Sequence, residues 1–501
     1  MSQFTEGDSA VNRLNAAVSA FEKVLTEPEG TVVEMPIGAA QPSLAERLKR
    51  ALDAVTVKPA QAASQATAAA QQAQVAQQAA AQSAADAANS AAATGYVDAP
   101  FPDVWAPLND DLRLLAGFAP ADTITVGGTS YPLKTKSISF NRASTATYID
   151  KSGVLQTAAI NEPRFEKEGL LIEQQSTNLL KWSSPTAAAN EFRFGAGVSV
   201  AYLPSGGVEV TKIADSGSWF EQNTGATNYD PAAPASCSAY LTIPDGASVS
   251  FVFMTYNATD GDKSVLSAPG VNGRNTLSLA VVGGTASQRL AARLTFPVGF
   301  PIGGKVVMDR MQIEPLAVTT SYIPTAGASV TRAADDCTLQ RSGNDNYFGS
   351  VTIAAEVQCN GKTLADGQTG SRRGILAIYP TTNDYCLVFV NSATNAAGVV
   401  TFSYGDPGQK ANNEIIDDGK PHIVSVRSNG LQKDICIDGS LSGSATVTKP
   451  TPGSVASYSN IIMIGRGAGA NGAGLRMLNG HIRNLRIWHR ALSDIQIKGL
   501  R

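Results

Sequence analysis

The sequence predicts a mainly β protein with an α-helical N-terminal stalk: two tandem β-sandwich or jelly-roll domains behind an Ala-rich coiled-coil neck. Three observations carry this. Residues 60–93 hold nineteen Ala and eight Gln among 34 positions, with Asp86 as the single charge. From about residue 137 onward, Thr-, Val- and Phe-rich alternation replaces helical spacing, and turn residues recur roughly every ten positions. The 46 Gly and 25 Pro supply those turns, which favours many short strands over long helices. A chain of 501 residues also exceeds a single core, so several domains are expected.

The elements follow in order. Residues 1–58 form short helices. Val11, Leu14, Val18, Phe21 and Leu25 recur at spacings of three and four, the stripe of a helix that packs on partners. Ser9 is its expected N-cap, and Pro28 with Gly30 ends it. After a β-type piece at 31–35, a second helix opens on the Ser43/Glu46 capping-box pattern and aligns Leu44, Leu48, Leu52 and Val55 on one face. Residues 59–95 are the neck. Small residues hold heptad register at Ala62, Ala66, Ala69, Ala73, Ala76, Ala80, Ser83, Ala87 and Ser90, which permits close helix packing with little burial energy. A low-complexity linker is the competing description of this stretch. Residues 96–135, interrupted by Pro100, Pro102, Pro107 and Pro120, are the connector.

A first sandwich is expected over 136–334, with strands at 137–148, 206–213, 248–254, 276–282 and 305–313. A second is expected over 335–501, with strands at 349–358, 374–379, 385–391, 422–428, 432–437, 461–464 and 481–488. A short closing helix is capped by Ser493.

Composition excludes several classes. The net charge is −3 with dispersed Lys and Arg, so neither a nucleic-acid stripe nor a polybasic membrane patch exists. No apolar run approaches the roughly 18 residues of a bilayer span, and the N-terminus lacks the pattern of a secretory leader. The cysteines, Cys237, Cys337, Cys359, Cys386 and Cys436, are odd in number and widely spaced, which fits reduced, buried thiols. The histidines His422, His481 and His489 belong to no HExxH or other metal spacing. No Gly-x-Ser-x-Gly and no P-loop occurs. Asp335-Asp336 falls in the joint between the sandwiches and Asp417-Asp418 in a turn.

Two ordered sets of phrases carry a family resemblance. The first runs from Phe140-Asn-Arg-Ala-Ser-Thr-Ala-Thr-Tyr-Ile-Asp150 through Gly169-Leu-Leu-Ile-Glu173 and Ser176-Thr-Asn-Leu-Leu180. It continues at Met311-Gln-Ile-Glu314, Ser321-Tyr-Ile-Pro-Thr325 and Val330-Thr-Arg-Ala-Ala-Asp335. It resembles the carbohydrate-binding-module-like sandwich of bacteriophage tail fibres and tailspikes, which implies that residues near 140 and 325 lie close together. The second comprises His422–Arg427, Asp434–Gly439, Ile464-Gly-Arg466 and Leu478–Trp488, followed by Ala491-Leu492 and Ile495. It resembles the end of a laminin-G-like, concanavalin A-like jelly roll, a fold shared by lectins, adhesins and some glycosidases.

The resemblance implies a phage tail protein: a homotrimer held by the neck, attached to a virion tail or baseplate protein through residues 1–58. It would be assembled in the bacterial cytoplasm and located in the virion. Host adsorption through a bacterial surface glycan or outer-membrane protein is the implied function, with no catalysis, no cofactor and no membrane insertion. Two alternatives are a depolymerase or deacetylase acting on surface polysaccharide, and a fibre connector that docks a second tail protein. Some laminin-G-like domains also hold calcium. Glycan-binding candidates are aromatic platforms and loop polar groups. They are Trp219 in Gly217–Phe220, Tyr404 and Asp406 in Ser403–Pro407, and Asn471 and Arg476 in and after the Gly-rich loop Gly467–Gly474. Core packing or turn chemistry is the competing role for each. Trp182 and Trp488 are assigned to the cores.

Overall fold

The computed structural model describes residues 3–36, 39–93, 98–119, 121–225, 228–259, 261–345, 350–361, 372–380, 386–390, 397–404, 409–442, 445–446, 458–467 and 476–500. The chain forms two compact units, Met1–Tyr96 and Val97–Arg501.

In the first unit, helix α1 spans Gln3–Thr26 and helix α2 spans Leu44–Ala93, with strand Val32–Val33 paired to Gln41–Pro42 between them. Two expectations are corrected. Ser9 lies inside α1 rather than capping it, because Gly7 lowers helix propensity by about 1 kcal/mol without ending the helix. The second helix and the neck are one element, with no break at residue 58 or 59. Pro59 costs one helical hydrogen bond, and the Ala- and Gln-rich run beyond it has the propensity to carry the helix on. At 50 residues, α2 is about 75 Å long.

The Ser43 hydroxyl accepts the Glu46 N–H at 3.2 Å, but the box is not reciprocal. The Glu46 carboxylate instead accepts the Gly30 N–H at 3.1 Å and pairs with Arg50. The apolar stripe side chains of both helices are exposed, from 41% at Leu44 to 73% at Val55. Among the described residues no helix is long and apolar enough to cross a membrane.

The second unit corrects the tandem arrangement: one sandwich is nested inside the other. The outer sandwich has a nine-stranded sheet built around Val351–Cys359 and Gly480–Trp488, and a seven-stranded sheet built around Arg373–Pro380 and Tyr458–Ile464. Four strands from the N-terminal side complete these sheets, among them Phe165–Glu166, which pairs with Gly169–Ile172. Val104–Ala106 and Gly169–Ile172 both pair with Gly480–Trp488, and Ser139–Asn141 pairs with Asp336–Gln340. The residues assigned to a connector and to the start of a first sandwich therefore belong to the C-terminal fold. Val104, Ile138, Phe140, Leu170 and Ile172 share one core with Ile353, Ile375, Val424, Ile464 and Ile487.

Between Gly169–Ile172 and Asp336–Gln340 the chain leaves to build the inner sandwich. Strand Ser176–Asn178 pairs with Val330–Arg332 and closes the base of the excursion. Two five-stranded sheets then enclose a separate core that includes Phe220, Phe251, Phe253, Leu294, Met308 and Ile313. The expected proximity of the segment near 140 to residue 325 is observed: the Thr147 hydroxyl donates to the Tyr322 carbonyl. Trp182 packs against the inner core, and Trp488 is 1% exposed, its Nε1–H donating to the Pro100 carbonyl. Cys237, Cys337, Cys359 and Cys436 are free and buried.

A buried ionic network ties the two sandwiches together. Arg142 and Arg164 both reach Asp335, at 3.2 and 2.6 Å, and Arg164 also reaches Glu173 at 2.9 Å. Arg332 lies 3.4 Å from Glu173, and the Asp335 carboxylate accepts the Glu173 N–H at 2.8 Å. Burial would push the Glu173 carboxyl up, but Arg332 and Arg164 outweigh it and, with the Ser321 hydroxyl and N–H, hold it at about 2. Asp335, placed by sequence in the joint, is the residue that the guanidiniums of Arg142 and Arg164 share.

Candidate functional site

A polar cleft lies on the outer face of the nine-stranded sheet. Strand alternation sends Val104 and Ala106 into the core and leaves Trp105 half-buried on the opposite face. In the neighbouring strand Gly480–Trp488, the core residues Ile482 and Leu485 are three apart instead of two. The extra residue is a bulge opposite Ala354–Glu356. Asn484 takes it up with φ +53, its N–H donating to the Pro107 carbonyl at 2.7 Å. Its side-chain oxygen accepts the Trp105 indole N–H at 2.9 Å. Leu108, fully buried beside it, also sits at positive φ (+55). Asparagine is among the non-glycine residues that take this backbone conformation most readily.

The third wall is a hairpin. Phe165–Glu166 and Gly169–Ile172 are joined by the two-residue turn Lys167-Glu168. Gly169 is required there: its φ is +120, and a Cβ would stand 2.8 Å from both Arg483 Cβ and the Ile482 carbonyl oxygen. Trp105, Pro107, Asn109, Asp110, Lys151, Lys167, Glu356, Arg483 and Asn484 enclose about 530 Å³, within the range of small-ligand sites. Both carboxylates are engaged in ion pairs, Asp110 with Lys151 and Glu356 with Arg483.

Next to the hairpin, Glu166, Glu168 and His481 bring donor atoms within 4.8 Å of one another, the residues best placed to hold a metal among those described. Glu166 is already occupied, however. Its Oε1 accepts the Ile149 N–H at 2.7 Å, and its Oε2 lies 2.8 Å from His481 Nε2. His422, at a different edge, is held between Asp438 at 2.7 Å and Asp418 at 3.0 Å. Burial opposes its charge, but the two carboxylates raise its pKa, and its hydrogen bond leads the effects that lower Asp418 to about 2.

The sequence candidates do not converge on this cleft. Trp219 begins strand Trp219–Asn223 on the inner sandwich, and the Arg293 guanidinium lies 4.2 Å from its ring centroid. Arg293 also donates to Glu221, which is fully buried and accepts the Tyr256 hydroxyl, while Arg193 stacks over Tyr256 at 4.9 Å. Trp219 is thus part of an arginine–aromatic cluster, with one ring face taken by Arg293. Tyr404 closes strand Val399–Tyr404, and Arg476 pairs with Gly467, each described at the level of the backbone alone. Asp406 and Asn471 lie outside the described residues.

The sequence reading passed over Trp105, Lys167 and Asn484. Trp105 is in a three-residue strand among prolines, a pattern that reads as connector. The Asn484 bulge was legible, because the spacing Ile482, Leu485, Ile487 breaks a period of two.

The outer sandwich has a concanavalin A-like lectin fold. Residues 332–498, about a third of the chain, match the concanavalin A-like lectin/glucanases superfamily (Laminin_G_3). That match omits the strands at Val104–Ala106, Ser139–Asn141 and Gly169–Ile172, which the structure adds to the fold.

Among solved structures, the chain is similar to the binding domain of botulinum neurotoxin DC, solved in complex with SialylT. The identity is 14% over 33% of this chain and 38% of that one, with a TM-score of 0.24. It is similar to the CBM40 of the Ruminococcus gnavus IT-sialidase, bound to α2,3-sialyllactose, at 12% identity over 32% and 86%, TM-score 0.26. A heptameric SAP-like pentraxin from Limulus polyphemus matches at 17% identity over 30% and 68%, TM-score 0.23. No curated protein matches the chain.

Proposed function

We propose that this protein is a receptor-binding protein of a bacteriophage tail. It adsorbs to a bacterial surface glycan through the Trp105 cleft and leaves that glycan intact. The observation that carries the proposal is the indole of Trp105, fixed by Asn484 at the wall of a polar cleft on a lectin-type sheet. An aromatic face beside amide and charged groups is the surface that binds a sugar ring, apolar on one side and hydroxylated at its edge. Both cleft carboxylates are held in ion pairs, which favours binding over acid–base cleavage.

The tail assignment rests on the ordered phrases at 140–180 and 311–335. In this reading the neck joins three copies, and residues 1–58 attach them to the virion. Several shallow sites on one neck raise the apparent affinity through effective concentration.

The test incubates fluorescently labelled full-length protein with host and non-host cells. Host cells should be stained, Trp105→Ala should weaken staining while retaining the circular dichroism spectrum of the folded protein, and the surface polysaccharide should keep its chain length. Absence of host staining, or shortening or deacylation of the polysaccharide, refutes the proposal.

A further inference from the structure

We propose that the Trp105 cleft selects acidic saccharides and that the Lys167 ammonium receives the sugar carboxylate. This deepens the glycan-binding reading above and rests on it. Three cations line the cleft, Lys151, Lys167 and Arg483, against two carboxylates, Asp110 and Glu356. Lys151 is paired with Asp110 and Arg483 with Glu356. Lys167 is the remainder: among the described residues its ammonium has no hydrogen-bond or ion-pair partner. The surplus belongs to the lining itself: Glu168, the next residue of the turn, acts on Arg483 from outside the cleft wall.

Lys167 also stands on a fixed support. It occupies a two-residue turn whose second strand lies against Gly480–Trp488, so closely that Gly169 admits no Cβ. Arg483 Nη1 donates to the Lys167 carbonyl at 3.4 Å, so the residue paired with Glu356 also braces the turn. The ammonium therefore projects at one edge of the cleft from a backbone that does not have to order on binding.

A sugar ring laid on Trp105 would share the cleft with this cation and with the amide of Asn109. A lysine ammonium suits a single carboxylate, as a compact charge with three donors. The Lys151–Asp110 pair is exposed, 47% and 74%, and is weakly held. Its two members can turn to ring hydroxyls without loss of a strong contact. A neutral sugar would use Trp105 and the amides but leave the Lys167 charge unanswered.

The test is a microbial glycan array carrying uronate-, sialate- and pyruvate-bearing saccharides beside neutral ones. It is probed with the full-length protein, Lys167→Ala and Trp105→Ala, at low salt and at about 0.5 M NaCl. The wild type should bind acidic saccharides about tenfold more tightly than their neutral counterparts, and salt should narrow the gap. Lys167→Ala should remove that preference, bringing acidic binding down to the level of neutral binding, while Trp105→Ala should weaken both.

Equal binding of acidic and neutral saccharides, or a preference that survives Lys167→Ala, overturns the acidic selectivity and leaves the glycan-binding cleft standing. Binding undiminished by Trp105→Ala, or no binding by the wild type to any saccharide, overturns the cleft reading and this inference with it. Lys167 is exposed, so its substitution should not move the melting temperature, and circular dichroism verifies that.

Discussion

Replacing Asp335 by Asn tests whether the two sandwiches are locked by charge. Asp335 is completely buried and answers Arg142 and Arg164 together, besides accepting the Glu173 N–H. The network contains three guanidiniums, Arg142, Arg164 and Arg332, and two carboxylates, Glu173 and Asp335. Asparagine keeps the shape but leaves three buried cations facing one anion and turns an amide N–H toward a guanidinium. Breaking a buried pair in this way costs about 3–5 kcal/mol, a large share of the roughly 5–15 kcal/mol that stabilises a typical domain.

Equilibrium urea unfolding is the assay, followed by the fluorescence of Trp182 and Trp488, which pack in the inner and outer sandwiches respectively. A midpoint equivalent to within about 1 kcal/mol of wild type would show that the network is replaceable, refuting the argument. Arg142→Met supplies the contrast. Burial, then repulsion from Arg164, pushes the Arg142 guanidinium down to about 10, although Asp335 works against both. It is the surplus cation, so removing it should cost less than removing Asp335, by about 2 kcal/mol.

Four further outcomes are expected. Glu173, held at about 2 in the fold against about 4.3 unfolded, contributes stability above the unfolded value that is lost as pH falls through about 2. Acid titration followed by circular dichroism should show loosening in that window, and Glu173→Gln should remove this component. His422 runs the other way: its pKa is raised, so its contribution is complete below about 6.5 and lost as pH climbs through the folded value. His422→Gln should flatten the dependence of melting temperature on pH there. Gly169→Ala should destabilise the hairpin by about 1–3 kcal/mol and reduce glycan binding, read by melting and cell staining together. Light scattering should give three chain masses for the intact protein, and a monomer at micromolar concentration would rule out the neck as a trimer seam.

The sequence alone determined most features that depend on neighbours a few residues apart, though not the start of α1 or the continuity of α2 with the neck. Heptad spacing and Ala content marked α1 and α2, and alternation marked strands such as Val351–Cys359, His422–Ser428 and Gly480–Trp488. Ser493 was legible as a helix cap, and the structure shows its full capping box with Gln496. The signals for these are local propensity and side-chain period, both written in consecutive residues.

What only the tertiary structure decided is pairing. Val104–Ala106 is too short to be a strand by its own propensity. It becomes one because Gly480–Trp488, nearly four hundred residues later, offers it a ladder. The same non-local pairing nests the inner sandwich within the outer one, where the sequence read as two domains in line. It also gathers Trp105, Lys167 and Arg483, from three separate stretches, around one cleft. Trp219, the aromatic that sequence context favoured, acquired Arg293 as a neighbour from a strand about seventy positions away. A contact between distant strands leaves no mark on either strand's own alternation, so it enters only once the core has chosen which edges meet.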